Sequence, residues 1–206
     1  MILPLDSTSM DSLNYWNTRY LEGGNSGAGS TGRLNSFKAE YLDSVIQKYQ
    51  IQNILDFGCG QGAILDFIKI DEFLGYDISS SVVEALKNKY RFDSKKTFTN
   101  ALGELSPKDL VLSFDVIFHL VENSEYEEYI RQIFEYAKKF VLIYSSNSDR
   151  TDPEYATAPH VRHRVFLQDV PKNFKLIEMQ KGKYPYDGDS PNTTSWSDFY
   201  LFKRYQ

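Results

Sequence analysis

Ile54-Leu55-Asp56-Phe57-Gly58-Cys59-Gly60-Gln61-Gly62-Ala63-Ile64-Leu65 is the stretch that decides the fold. An apolar run from Ile54 to Phe57 breaks into glycines at alternate positions, and an apolar pattern of helical spacing follows. A buried parallel strand that turns sharply into a helix beneath a bound nucleotide needs this order of residues. Gly takes dihedrals that other residues resist, and it lets a ligand come close to the backbone. Asp56 stands two residues before the first Gly, at the carboxyl edge of the strand, where open α/β sheets bind ligands.

From Asp56 to Gly62 the pattern D-x-G-x-G-x-G resembles motif I of the class I methyltransferases, which use S-adenosylmethionine (SAM). The resemblance implies that the acid helps to hold the methionine amino group and that the glycines make room for the rest of the cofactor. A rival reading uses the same residues. Gly58 to Ala63 also satisfies G-x-G-x-x-A, and Asp77 follows at about the spacing of a dinucleotide site, which keeps an NAD-dependent oxidoreductase in view. Charge favours SAM. A carboxylate at position 56 would repel a pyrophosphate but welcome a cofactor that carries an ammonium and a sulfonium.

Working outward, the 206 residues suit one domain with a sizeable core. A net charge of −5 gives no basic footprint for nucleic acid. The single Cys allows no internal disulfide, no apolar run approaches a membrane span, and the N-terminal residues lack the basic and apolar regions of a signal peptide. A cytoplasmic enzyme without nucleic-acid or membrane partners is the expectation. The 15 Tyr and 14 Phe suit core packing or an aromatic cleft.

Residues 11–21 predict a short helix capped by Asp11 or Ser12. Gly23 to Gly32 holds five Gly and three hydroxyl residues, and it leads into the amphipathic run Leu34, Phe37, Leu42, Val45. A flexible loop between two helices, just ahead of a cofactor strand, is placed to act as a lid. Strands are then predicted at 53–57, 72–77, 96–99, 109–114 and 140–144. Helices are predicted from Gly62 to Lys69, over 82–90 with the hydroxyls of Ser79 to Ser81 as cap, and from Ser124 to Lys138. The alternation predicts a doubly wound, Rossmann-like α/β sheet, mostly parallel, closed by an antiparallel pair at 174–179 and 199–202. The domain spans 1–206, with an N-terminal helical cap and lid over 1–50, a core over 51–206, and acceptor loops at 145–171 and 182–197.

The methyltransferase resemblance extends from about residue 50 to 145. It implies that Asp77 binds the ribose hydroxyls, that Ile78, Ala101 and Leu102 meet the adenine, and that Phe114, at the end of the motif IV strand, passes beside the methyl donor. A narrower resemblance rests on Tyr15-Trp16-Asn17-x-Arg19-Tyr20, the Gly-rich loop, Phe37-Lys38-Ala39, Asp115 to Glu122 and Pro159 to Arg164. These segments are similar to small sugar O-methyltransferases encoded among polysaccharide-assembly genes of bacteria and large DNA viruses. The implied acceptor is a sugar hydroxyl, plausibly of a deoxysugar such as rhamnose in a glycan. Tyr15, Trp16 and Lys38 join the cofactor set, with Lys38 placed to meet the SAM carboxylate.

A sugar hydroxyl needs a base as it attacks. His119 lies four residues after Asp115, so on a helix the two would share a face and the acid could orient the imidazole. Either residue could be the base. Some related enzymes carry acid-x-x-acid-His here and bind a divalent cation. The middle position is Phe118 in this chain, so no metal is expected. His160, Arg162, His163 and Trp196 are the candidate acceptor-binding residues, with one face of the 160–164 segment suited to a phosphate or a sugar. Another small-molecule acceptor, or a SAM-binding module without activity, are the other readings.

Overall fold

The computed structural model describes residues 12–149, 160–188, 190 and 192–205. Asp11, Pro159 and part of the 145–171 loop lie outside them. Two helices come first, α1 (Ser12–Leu21) and α2 (Gly32–Tyr49), followed by strand β1 (Asn53–Phe57). β2 (Glu72–Tyr76), α3 (Ser80–Lys89), β3 (Lys96–Thr99) and β4 (Lys108–Phe114) come next. α4 (Asn123–Glu135), β5 (Ala137–Ser145), β6 (Phe174–Gln180) and β7 (Asp198–Arg204) complete the chain. The seven strands form one sheet in the order β3-β2-β1-β4-β5-β7-β6. Neighbours are parallel from β3 to β5, and β7 runs antiparallel to both β5 and β6. The strand order reverses between β1 and β4, and a crevice opens at the carboxyl ends of strands at such a point.

Alternation along the strands builds two apolar layers. Ile54, Phe73, Leu110, Leu142 and Leu201 face α2 and α3, which supply Leu42, Val45, Val82 and Leu86. Leu55, Leu74, Val111, Val141 and Phe202 face α4, which supplies Tyr126, Ile130, Ile133 and Phe134. The strands nearest the site are therefore buried on both faces, as parallel strands are.

Three expectations are corrected. The helix predicted from Gly62 to Lys69 is a single 3₁₀ turn, Ala63–Asp66. Gly62 is left-handed (φ 67°), β2 begins at Glu72, and α2 already covers this face, so a long helix has neither the length nor the surface it needs. Ser79 holds the N-cap position of α3, but its hydroxyl pairs with Ser81 Oγ and makes no capping bond. α4 stops at Glu135, because Ala137 already pairs with Lys108 at the start of β5.

Candidate active site

The floor of the site is the turn after β1. Gly58 (φ 98°) and Gly60 (φ 48°) are left-handed, and the amides of Gly58 and Cys59 both donate to Tyr76 O, at 2.8 and 2.9 Å. A Cβ at Gly58 would lie 2.5 Å from Val116 Cγ2, so no side chain fits there. Asp77 Oδ2 accepts from the Gly60 amide at 2.8 Å and Oδ1 from the Ser79 amide at 3.0 Å. These two bonds fix the carboxylate at the tip of β2. Asp56 is almost fully buried, and burial pushes its carboxyl up to about 7; the charge of Lys38 opposes the shift and that of Asp77 adds to it. Tyr129 of α4 donates to Phe57 O at 2.7 Å and bonds Ser113 Oγ at 2.8 Å, tying the ends of β1 and β4 to the helix behind them.

The other end of the site follows β4. Asp115 is left-handed (φ 57°), which ends the strand abruptly, and its amide donates to Tyr144 O at 2.9 Å. Its Oδ2 receives the Lys38 ammonium at 2.6 Å, and both side chains are largely buried. Lys38 is therefore held by Asp115. His119 does not bond Asp115. The turn at Asp115 breaks the helical spacing, and only a 3₁₀ turn, Ile117–His119, follows. His119 Nδ1 donates to His160 O at 3.0 Å, the tautomer that leaves Nε2 as an acceptor. Burial holds His119 down to about 4, with the Asp115 charge opposing, so the ring is neutral near pH 7.

The Gly-rich loop lies against both ends. Ser26 Oγ accepts from the Gln61 amide at 3.1 Å and pairs with Tyr20 OH at 2.9 Å, and Arg19 Nε donates to Asn25 O at 2.7 Å. A Cβ at Gly60 would sit 2.5 Å from Ser26 Oγ, and one at Gly29 would sit 2.5 Å from Asp115 Oδ2. Beneath the loop is a cavity of about 330 Å³. Trp16, Lys38, Asp56, Gly58, Gly60, Asp77, Ile78, Leu102, Phe114, Asp115 and His119 line it, as the sequence suggested. So do Ser12, Tyr20, Ser26, Ser30, Asn35 and Tyr129, which it did not single out. The hydroxyl-rich composition of the loop was the one available signal for Ser26 and Ser30.

The remaining expected residues stand elsewhere. Tyr15 and Ala101 lie outside the lining; Tyr15 stacks on His160 at 4.5 Å, and His160 stacks in turn on His119 at 5.4 Å. Arg162 Nη1 donates to Val121 O at 3.0 Å. Arg164 donates to Leu120 O, Val121 O and Asn123 Oδ1. Both guanidiniums thus brace the loop after His119. His163 points the other way, as alternation predicts, and is buried with Nδ1 2.6 Å from Ser146 Oγ and its ring edge-on to Trp196. Trp196 also packs on Tyr186 at 3.9 Å. None of His160, Arg162, His163 or Trp196 lines the cavity. Among the described residues no three His, Cys, Asp or Glu side chains converge as a metal site, and no helix is long and apolar enough to cross a membrane.

Comparison with known proteins bears on this geometry. Residues 55–141, which carry the β1 turn, Asp77, Asp115 and His119, match a family model described as a methyltransferase domain. No curated protein matches the sequence. Solved structures show the fold. N-methyltransferase NodS from Bradyrhizobium japonicum WM9, in complex with S-adenosyl-L-homocysteine, is similar with a TM-score of 0.73 at 12% identity, over 95% of this chain and 100% of that one. Magnesium protoporphyrin IX methyltransferase from Synechocystis PCC 6803, with bound SAM, has a TM-score of 0.62 at 17% identity, over 96% and 99%. An rRNA methylase from Escherichia coli has a TM-score of 0.58 at 17% identity, over 96% and 77%. These methyltransferases share the architecture and act on different acceptors.

Proposed function

We propose that this chain transfers the methyl group of SAM to a hydroxyl of a carbohydrate, with a deoxysugar such as rhamnose as the acceptor that the sequence resemblance implies. One observation carries the reading. Asp56, Gly60, Asp77, Asp115 and His119 all line one cavity. Its volume falls within the range of small-molecule sites. Asp56 suits the cofactor ammonium and Asp77 the ribose diol, while Ile78 and Leu102 offer apolar contact to the adenine.

SAM, when bound, supplies an electrophilic methyl: the acceptor oxygen forms a bond to the methyl carbon as the carbon–sulfur bond breaks and its electron pair goes to sulfur. The chain contributes positioning, exclusion of water and a route for the hydroxyl proton. His119 Nε2, neutral and aprotic, receives that proton. Asp115 stabilises the imidazolium through space, as its opposing effect on the His119 shift indicates. The Gly23–Gly32 loop acts as the lid. We place all of this in one unit, and the reaction needs no metal.

The test is labelled SAM with a panel of neutral sugars and small-molecule hydroxyl and amine acceptors, using wild type, His119→Ala and Asp115→Asn. Methylated sugar at the hydroxyl is expected, with turnover cut about 10²-fold in each variant and cofactor affinity nearly intact. Methylation of amines alone would remove the carbohydrate reading. Near wild-type turnover in both variants would move the base elsewhere.

A further inference from the structure

The cavity has a charge signature that narrows the acceptor, and this narrowing rests on the carbohydrate reading above. Lys38 is the single Lys or Arg among the described lining residues, whereas Asp56, Asp77, Asp115, Glu125 and Glu128 all line it. The Lys38 ammonium is taken up by Asp115 at 2.6 Å. Glu128 is bound by Arg131 through both oxygens, and Glu125 Oε2 is buried without a hydrogen-bond partner among the described residues.

Among the described residues, four arginines outside the lining bond the protein itself. Arg164 donates from all three of its nitrogens to the backbone of 120–121 and to Asn123, and Arg162 donates to Val121 O. Arg19 holds Asn25 O, and Arg33 holds Thr193 O while lying over the Tyr184 ring. Phosphate recognition uses available guanidinium forks or ammonium groups. Here an anion would lose its hydration beside a lining richer in carboxylates than in cations, with Glu125 Oε2 unpartnered, and no Lys or Arg among the described lining residues is left to receive it.

We infer that the acceptor presents no phosphate or other anionic group to this cavity, so its sugar is a neutral glycoside or glycan end and not a sugar phosphate or nucleotide-linked sugar. The comparison is between methyl rhamnoside, rhamnose 1-phosphate and the nucleoside diphosphate ester of the same sugar. Each is titrated calorimetrically into protein loaded with S-adenosylhomocysteine, so that binding is read apart from turnover. The neutral glycoside should bind at least about tenfold more tightly than either phosphorylated form. Glu125→Gln and Asp115→Asn should narrow that margin, and so should added salt.

Equal or tighter binding of a phosphorylated sugar would overturn the inference even if sugar methylation is observed. An unchanged margin in both variants and at high salt would overturn it as well, because the discrimination would then owe nothing to these charges. Transfer to amines and to no sugar would strike the carbohydrate reading instead, and it would be seen in the turnover assay, not in this titration.

Discussion

Burial raises the Asp56 carboxyl to about 7, so near neutral pH the free protein holds it partly protonated, while a neighbouring ammonium favours the ionised form. Cofactor binding should therefore release a proton below pH 7. SAM affinity is expected to fall by up to about tenfold per pH unit below that point and to level off above it, and Asp56→Asn should weaken binding and flatten the profile. Calorimetry at several pH values reads both effects. The same shift acts on stability with a definite sign. Between the ordinary carboxylate range and pH 7 the folded chain keeps a proton that the unfolded chain releases, so Asp56 weighs against the fold as pH rises. Asp56→Asn should accordingly raise Tm more at pH 8 than at pH 4. Asp77 makes a simpler prediction. Replacing it with Ala should cost about 2 kcal/mol of SAM affinity, the scale of lost charged hydrogen bonds, and unchanged affinity in a folded variant would take it out of the site. Asp56, Asp77 and the glycines were legible because strand ends and turn chemistry are local. The Lys38–Asp115 pair was not, since it joins residues 77 positions apart. The Asp115–His119 pairing failed because a left-handed residue voids the helical spacing on which it depended.

At the scale of elements, the Gly23–Gly32 loop is the segment that the proposed reading makes a lid. Ser26 binds it to the β1 turn and Gly29 rests on Asp115, so one loop touches the ends of both β1 and β4. Amide exchange over residues 22–31 should slow when S-adenosylhomocysteine binds, because ordering costs entropy that closure must offset. Ser26→Ala should reduce that protection. Gly29→Ala should reduce turnover more than cofactor affinity, since its methyl would meet the Asp115 carboxylate at 2.5 Å. Exchange rates in the loop that do not respond to ligand would deny it the role of lid. The helix predicted after Gly62 was an error of the same scale. The apolar spacing of Ile64, Leu65 and Ile68 is real and all three are buried, but a 3₁₀ turn with a short extension hides them as well as a helix does.

The whole molecule is acidic, and its cavity is more so. With Phe118 in place of an acid, activity should survive EDTA; loss on chelation and recovery with magnesium or manganese would reveal a cation the sequence does not suggest. The architecture was readable from the alternation of strand and helix patterns, down to the antiparallel pair at the end, because the central apolar runs fit strands buried on both faces. What the sequence left open is how the N-terminal residues relate to the sheet. α2 answers this: its first turn ends the Gly-rich loop at Gly32, and its body places Leu42 and Val45 in the core. Anyone wishing to exchange N-terminal segments between chains of this fold therefore has no cassette that ends at residue 50. The exchangeable piece is the loop from Gly23 to Thr31, spliced between helices that have to stay.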